Sequence, residues 1–456
     1  MASSQQGHQG PSNQDSSTQN LSDQGSSEAN SMSESEPSPG NEPASALIPA
    51  DLVIRNIGQL VTVAQSPILG AEGRLQIIPN GTVAAHMGRI VWVGPERLLA
   101  QAVDARHAEA IDAEGHPATP GFVDSHTHLI FAGNRAEEFH LRHQGVSYAE
   151  LAAQGRGILS TVRATRAASQ QELTHLAWHR LERFRAYGTT TLEAKTGYGL
   201  NQETEATCLR VLNEFNASPL VQPLIPTFLG AHTLPPEYKD RREHYVDLIV
   251  EEMLPAFAGH ARFCDVFCEK SAFSLGESRR ILSQAKEYGY LLKIHAEQLS
   301  PSGGARLAAE LGATSADHLD FASDDDLDAL REAGVVATLL PGCSFTLSTP
   351  YPSARRLLDQ GLTVALATDF NPGTSYCENM QMMLALGISA MGMTLEEAIE
   401  ATTINGARAL AFADEAGSLE VGKRCDLILW NTSDYHELGY HFGINLVKQV
   451  FIAGIH

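Results

Sequence analysis

The chain has 456 residues and carries 54 aspartate and glutamate residues against 32 lysine and arginine residues, a formal net charge of −22 at pH 7. A chain of this length can bury a large core and is expected to hold more than one domain. The acidic balance argues against sequence-independent binding to nucleic acid, which needs a basic surface.

The first 46 residues are rich in Ser, Gln, Asn, Gly and Pro and contain no Lys or Arg. This composition predicts a disordered tail, and it lacks the features of a signal or transit peptide. No run in the chain approaches the roughly 18 apolar residues of a membrane span. The six cysteines are scattered along the chain, which favours their interpretation as small buried side chains in a reducing compartment. We therefore predict a cytoplasmic protein that does not engage a membrane.

Short alternating runs typical of β-strands follow the tail, among them DLVIRN and QLVTVAQ. Similar runs return at the other end of the chain, in CDLILWN and VKQVFIAG. Neither end alone supplies enough strands for a stable sheet. We therefore predict that residues 47–118 and 416–456 form one small composite β-sandwich domain.

Residues 119–415 alternate strand-like and helical patterns. The helical patterns ESRRILSQAKEYG, DDDLDALREAG and SARRLLDQG each end at a glycine, as helices often do. Eight strands alternating with helices over about 300 residues predict an α/β fold, a (β/α)8 TIM barrel. An open doubly wound sheet is the alternative, but no G-x-G-x-x-G follows the first strand. The eight candidate strands are PGFVDSHTH, GTTTLEAKTG, PLVQPLIPTFLG, RFCDVFCE, LLKIHAE, ATSADHLD, VVATLLPG and TVALATD.

Polar side chains of the kind that bind metals end seven of these eight strands. In such a barrel, functional residues gather at the carboxyl ends of the strands. The first strand runs into GFVDSHTHLIFAG, whose two histidines share one face because strand side chains alternate. Three histidines with a carboxylate suit zinc or iron that keeps an open position for water. The strand-end residues are His126 and His128; Glu193, Lys195 and Tyr198; His232; Glu269; His295 and Gln298; Asp317 and His318; and Asp369.

An HxH pair, a later histidine and an aspartate on the last strand, in this order, resemble the amidohydrolase superfamily. The segment TTINGARALAFADEAGSLEVGKRCDLILW resembles the part of that superfamily that closes the barrel and re-enters the small β domain. From about residue 50 to 456 the chain is most similar to the branch that opens the ring of 4-imidazolone-5-propanoate in histidine degradation. That similarity rests on PGFVDSHTHLIFAGNRAEEF, EAKTGYGL, LGAHTLPPEY, LLKIHAEQL, SADHL and ATDFNPGTS.

The resemblance implies a hydrolase that forms N-formimidoyl-L-glutamate with one Zn2+ or Fe ion per subunit, in a homodimer. The implied metal ligands are His126, His128, His295 and Asp369. The implied substrate contacts are Arg135, Tyr198, His232, Gln298, Asn371, Gly373 and Thr374.

The resemblance also divides the chemistry among particular side chains. Arg135 is expected to pair with the substrate carboxylate, since a guanidinium binds carboxylates bidentately. Asp369 would be both metal ligand and first proton acceptor, and His318 would orient it or stabilise the developing oxyanion. Some relatives carry Glu where this chain has Gln298. Because an amide cannot accept the proton of water, Gln298 is expected to position the reactants.

Three alternatives remain at this point. Lys195 could be carboxylated and bridge two metals, as in two-metal members of the superfamily, although the resemblance implies a single metal. The chain could instead be another mononuclear amidohydrolase, such as a deaminase or cyclic-amide hydrolase. A barrel without catalysis that serves as an interaction module is the third, and the complete set of candidate ligands argues against it.

Overall fold

A computed structural model describes residues 47–146, 150, 155–218 and 221–456. The predicted disorder of residues 1–46 lies outside the described residues. In chain order the strands are β1 (Ile48–Pro49), β2 (Leu52–Val61), β3 (Ile77–His86), β4 (Arg89–Pro95), β5 (Val103–Asp104), β6 (Glu109–Asp112), β7 (Ala118–Pro120), β8 (Phe122–Asp124), β9 (Thr189–Lys195), β10 (Leu224–Ala231), β11 (Phe263–Cys268), β12 (Leu291–Ala296), β13 (Ser315–His318), β14 (Val336–Leu339), β15 (Val364–Leu366), β16 (Leu427–Trp430) and β17 (Val447–Phe451).

Helices occupy most of the connections between these strands. Among the described residues, none of them is long and apolar enough to cross a bilayer. The α-helices are Leu99–Ala102, Ala136–His143, Ile158–Ala167, Gln170–Ala186, Gln202–Asn216, Arg242–Asp247, Leu254–Phe257, Leu275–Glu287, Gly304–Leu311, Asp324–Ala333, Pro341–Leu347, Ala354–Asp359, Met380–Met391, Leu395–Thr402, Ile404–Ala409 and Glu437–Tyr440. Short 3-10 turns span Glu96–Leu98 and Pro236–Tyr238, and a π-helical turn spans Leu248–Met253.

Strands β8 to β15 form one parallel sheet in which each strand pairs with its neighbours in the chain. The sheet closes just beyond its first and last strands. There the His128 amide donates to the Phe370 carbonyl at 2.8 Å, and the Asp369 amide donates to the His126 carbonyl at 3.0 Å. The predicted (β/α)8 barrel is therefore confirmed, and residues that carry predicted metal ligands also close it.

The three helices predicted from glycine-terminated patterns are all present, as the helix Asp324–Ala333 illustrates. Ser323 caps its first turn in a capping box with Asp326, which satisfies backbone amides that have no partner inside the helix. Gly334 ends it in a left-handed conformation with a φ of 70°, which costs glycine little. Leu327 and Leu330 are buried on the side facing the barrel core. The capping residues and the buried leucines thus both stabilise this helix in the position that the sequence pattern predicts.

The second large sheet combines both ends of the chain. It has the order β17-β16-β7-β2-β3-β4, with β6 paired to β2. The strands from the two ends of the chain join where β16 runs antiparallel to β7. Its own apolar cluster includes Ile54, Leu60, Leu427 and Phe451. A separate parallel pair joins β1 to β5. The predicted boundary between residues 118 and 119 falls inside β7, and the exact division into domains stays a prediction.

Candidate active site

The two histidines of the HxH motif lie beyond the end of β8, in an extended segment at the barrel mouth. Thr127 between them forms a parallel bridge with Phe370, so the strand-like alternation continues past Asp124. Asp124 accepts hydrogen bonds from the Thr368 amide at 3.1 Å and the Thr368 hydroxyl at 2.6 Å. These bonds tie the first strand to the last and turn both imidazoles into the buried interior.

The predicted ligands converge on one place. Nε2 of His126 and Nε2 of His128 each lie 3.6 Å from Oδ1 of Asp369. The ring of His295 lies 4.5 Å from that of His126, centroid to centroid. Two overlapping sets of ligand atoms, each lying within 4.8 Å of one another, share His126: one adds His128 and Asp369, the other His295 and His318.

The chemistry of these donors fits a divalent metal. Nε2 of His126 and Nε2 of His295 are buried without a hydrogen-bond partner among the described residues. Buried polar atoms without partners are costly, and a metal ion would satisfy imidazole nitrogens of this kind. His318, which was predicted as a catalytic residue, lies beside the ligands, with its ring 5.4 Å from that of His295.

Burial controls the protonation of this cluster. It lowers the pKa of His126, His128 and His318 well below the usual value for histidine, which keeps the rings neutral and able to bind a metal. It also raises the pKa of Asp369 to about 7, although His295 and Asn371 oppose the shift. A cation beside Asp369 would favour the ionised carboxylate.

A layer of buried charge lies beneath the candidate metal ligands, and sequence reasoning missed two of its members, Asp265 and Lys293. The layer contains Glu193, Lys195, Asp265, Lys293 and Asp317, all fully buried. Lys293 stands two residues before His295 on β12, and two is the spacing that places side chains on the same face of a strand. The signal in the sequence was a lysine within a mostly apolar strand. It was missed because the candidate residues were taken from the ends of the strands.

The contacts of Lys195 in this layer bear on the alternative that it is carboxylated and bridges two metals. Its Nζ lies 2.6 Å from Oδ2 of Asp265 and 2.9 Å from Oε2 of Glu193. Burial alone lowers the pKa of Lys195, but these carboxylates and Asp317 outweigh burial and raise it above its usual value. Because carboxylation needs a neutral amine, the surroundings of Lys195 favour a charged ammonium group over a bridging carbamate.

Tyr198 and His232 lie side by side next to the metal ligands. The ring of His232 stacks on that of His128 at 4.9 Å, and Tyr198 contacts it edge-on at 5.2 Å. Burial lowers the pKa of His232 to about 3, and its Nδ1 lies 3.0 Å from the Gly197 carbonyl. In the neutral ring, a proton on Nδ1 donates to that carbonyl and leaves Nε2 as an acceptor.

The loop that carries Tyr198 is held by a residue that sequence reasoning did not identify. The buried carboxylate of Glu205 accepts from the amides of Gly199 at 2.7 Å and Leu200 at 2.8 Å, and from Gly197 at 3.1 Å. Glu205 lies in the first turn of the helix Gln202–Asn216, where acidic residues commonly compensate the helix dipole, so sequence alone does not single it out. Glu205 therefore holds the backbone on both sides of Tyr198.

Arg135 faces the turn that follows the last barrel strand. Its Nε donates to Oε2 of Glu138 at 2.7 Å, and Glu138 also accepts from the Gly157 amide at 2.9 Å. The guanidinium packs so closely on Gly373 that an added Cβ there would collide with Nη1. Gly373 thus contributes space for Arg135.

Asn371 shapes the same turn from within. Its Oδ1 accepts from the amides of Gly373 and Thr374, both at 2.8 Å, and its Nδ2 donates to the Asp369 carbonyl at 2.7 Å. Thr374 Oγ1 lies 2.9 Å from the same Nδ2. The predicted role of Asn371 as a direct substrate contact therefore competes with a structural role that occupies its side chain.

Gln298 is half-buried at the mouth, with Nε2 3.8 Å from Sγ of Cys343. The neighbouring strand-end residue Glu269 accepts from the amides of Leu299 and Ser300 at 3.0 and 3.1 Å. Glu269 thus anchors the loop that carries Gln298. The structure brings all of the predicted site residues to the same end of the barrel, and it gives Glu269 and Asn371 loop-shaping contacts.

Comparison with known proteins agrees with this architecture. The amidohydrolase family model matches residues 118–455. An imidazolonepropionase of Symbiobacterium thermophilum is 50% identical over 413 residues, which cover 89% of this chain and 97% of the relative. An imidazolonepropionase of Bacteroides thetaiotaomicron is 45% identical over 409 residues, covering 89% and 98%.

Solved structures show the same fold at low identity. An adenosine deaminase of Xanthomonas campestris with bound zinc superposes with a TM-score of 0.67 at 18% identity, covering 90% of this chain and 93% of that one. A triazine hydrolase variant gives a TM-score of 0.68 at 16% identity, with coverage of 89% and 94%. The barrel with its histidine and aspartate cluster is that of a hydrolase, and the chain belongs to the amidohydrolase family. Within that family, curated relatives at 43–50% identity over about 89% of this chain are named imidazolonepropionases.

Proposed function

We propose that this protein hydrolyses 4-imidazolone-5-propanoate to N-formimidoyl-L-glutamate, a step of histidine degradation. The names of its relatives support this substrate, since they match almost the whole described chain. The observation that carries the proposal is that Arg135, packed on Gly373, faces the turn directly after Asp369. A cation for a carboxylate thus stands at the same barrel mouth as the candidate metal ligands.

His126, His128, His295 and Asp369 would hold one divalent ion, with zinc and iron both suited to imidazole and carboxylate donors. When bound, such an ion polarises the ring carbonyl and lowers the pKa of a water to about 7. His126 would bind the ion through Nε2. Its Nδ1 lies 2.6 Å from Oδ2 of Asp317, and this contact fixes the orientation of the ring.

Arg135 binds and orients the propionate of the substrate. Its Nε donates to Glu138, which leaves the two terminal nitrogens of the guanidinium to donate to the substrate carboxylate. Tyr198 keeps its phenol protonated, because burial raises its pKa above the usual value, and it can donate a hydrogen bond. Gly373 and Thr374 would line the substrate site, in the turn that the Asn371 side chain holds through their backbone amides.

The reaction consumes one water: its oxygen bonds to the ring carbonyl carbon, the ring C–N bond breaks, and a proton ends on the departing nitrogen. Asp369 accepts the proton of the attacking water on a carboxylate oxygen and returns it to that nitrogen. His318 lies beside the cluster, where it can orient Asp369 or donate toward the developing oxyanion. Gln298 positions the reactants, since its amide has no basic site.

The proposal extends to the setting of the enzyme. We propose a cytoplasmic location and a homodimer, the latter as the family resemblance implies. Analytical ultracentrifugation of the full-length chain measures the subunit number, and metal analysis of protein purified without added metal distinguishes zinc from iron.

A substrate panel tests the proposed function. Turnover is measured with 4-imidazolone-5-propanoate and, in parallel, with guanine, cytosine and hydantoin, with products identified by mass spectrometry. The proposal predicts that the imidazolone is preferred over each other compound by at least about 100-fold in kcat/KM, because only it offers a carboxylate to Arg135. Equal or greater turnover of a base or hydantoin would assign the protein to another branch of the family.

A further inference from the structure

The layer beneath the candidate metal centre is a closed ion network of two lysines and three carboxylates. Lys293 Nζ lies 3.2 Å from Oε2 of Glu193 and 3.7 Å from Oδ2 of Asp317. Lys195 Nζ lies 2.9 Å from the same Glu193 oxygen and 3.8 Å from the same Asp317 oxygen. It also lies 2.6 Å from Asp265. All five side chains have 0% exposure, so water does not screen these charges.

Two of the carboxylates also reach the candidate metal ligands. Asp317 Oδ2 lies 2.6 Å from Nδ1 of His126, and Asp265 Oδ2 lies 3.0 Å from Nδ1 of His295. Each of these aspartates therefore has an ammonium group on one side and an imidazole on the other. A carboxylate in this position sets the tautomer of a ligand histidine and directs its other nitrogen to the metal.

Two of the network's carboxylates, Glu193 and Asp317, have the geometry of a second cation site together with His126. His126, Glu193 and Asp317 offer ligand atoms within 4.8 Å of one another. Both lysine ammonium groups stand within 3.8 Å of Asp317 Oδ2 and within 3.2 Å of Glu193 Oε2. Together they supply the charge of one divalent ion. The network keeps one net negative charge on the side of the metal ligands.

We propose that Lys195 and Lys293 take the place of a second metal ion in this barrel. Their ammonium groups neutralise the carboxylates that orient His126 and His295, and they exclude a cation from the space between Glu193 and Asp317. The two lysines are positioning residues, since they act on the metal through the aspartates. The inference rests on the proposed metal centre and is independent of the identity of the substrate.

Charge compensation tests the electrostatic part. Lys293→Met removes one ammonium and keeps the volume of the side chain, whereas Lys293→Met with Glu193→Gln removes one charge of each sign. We expect the single variant to lower the thermal midpoint of the metal-free protein by at least about 5 °C, because it leaves buried carboxylate charge uncompensated. The paired variant should recover at least half of that loss. A paired variant no more stable than the single one would overturn the proposal.

Metal stoichiometry tests the replacement itself. Full-length wild type and Lys195→Met/Lys293→Met are expressed with Co2+, freed of unbound metal, and analysed for cobalt per chain. The wild type should hold one ion and the double variant two, and the double variant should fold in the presence of Co2+. One ion in a folded double variant, two ions in the wild type, or a double variant that stays unfolded with Co2+ would each contradict the proposal. The exposed Lys239→Met is the matched control and should keep one ion.

Discussion

Replacing Gly373 with alanine should weaken substrate binding mainly by displacing Arg135, with a smaller effect on Asn371, whose Oδ1 would lie 3.3 Å from the added Cβ. A Cβ at Gly373 would collide with Nη1 of Arg135 and lie 3.0 Å from its Cζ, where ordinary contacts begin at 3.4 Å. The backbone of Gly373 is outside the left-handed region, so alanine brings no strain of its own. The guanidinium must therefore move, and its pair with the propionate is lost or bent.

The expected loss is that of a charge-assisted hydrogen bond, about 1.5–3 kcal/mol. This corresponds to a decrease in kcat/KM of about 10- to 150-fold. Because the propionate lies away from the bond that breaks, most of the change should fall on KM. Steady-state kinetics with 4-imidazolone-5-propanoate measures both constants.

Gly276→Ala supplies the control. Gly276 is exposed in the helix Leu275–Glu287, and an added Cβ meets nothing within 4 Å. The control variant should keep wild-type kinetics and gain stability, by up to about 1 kcal/mol. Wild-type KM in Gly373→Ala, or equal effects of the two substitutions, would refute the assignment of Arg135 to the carboxylate.

Three further predictions follow from the site. Glu205→Gln should lower the free energy of unfolding by about 1–3 kcal/mol, because three backbone amides lose an ionised acceptor; an unchanged urea midpoint would show that Glu205 does not hold the Tyr198 loop. Gln298→Glu should keep the fold and part of the activity, whereas Gln298→Ala should lower turnover or affinity; an alanine variant with wild-type kinetics would remove Gln298 from the site. His295→Ala should reduce bound metal measured by plasma mass spectrometry while the circular dichroism spectrum stays that of the wild type, and an undiminished metal content would remove His295 from the ligands.

The barrel could be predicted because its signals are local. Seven of the eight predicted strands contain the observed one, as in GTTTLEAKTG for Thr189–Lys195 and LLKIHAE for Leu291–Ala296, and the remaining one, PLVQPLIPTFLG, stops one residue short of the end of Leu224–Ala231. The order of the strands followed from parallel pairing of consecutive βα units. The pairing of the two chain ends was also predicted, because strand-like runs occur at both ends of the chain.

The contacts around the ligands could not be predicted, because they join residues far apart in the chain. In the sequence, Lys293 and Asp265 are isolated charges within apolar strands. Their ion-pair partners lie on other strands and become neighbours only in the folded barrel. Asn371 was expected to contact substrate, but the sequence does not reveal that its own turn engages both ends of its amide. Residue type and strand position predict which groups reach the mouth, whereas the partner of each group depends on the closed barrel.

A metal titration that follows the reaction itself tests the central claim most directly. Full-length protein stripped of metal receives Zn2+ or Fe2+ in increments, while loss of 4-imidazolone-5-propanoate and formation of N-formimidoyl-L-glutamate are measured on each sample. We expect no turnover in the stripped protein and a rate that rises to a plateau at one equivalent of metal per chain. Full turnover without metal, or no N-formimidoyl-L-glutamate at any metal content, would contradict it.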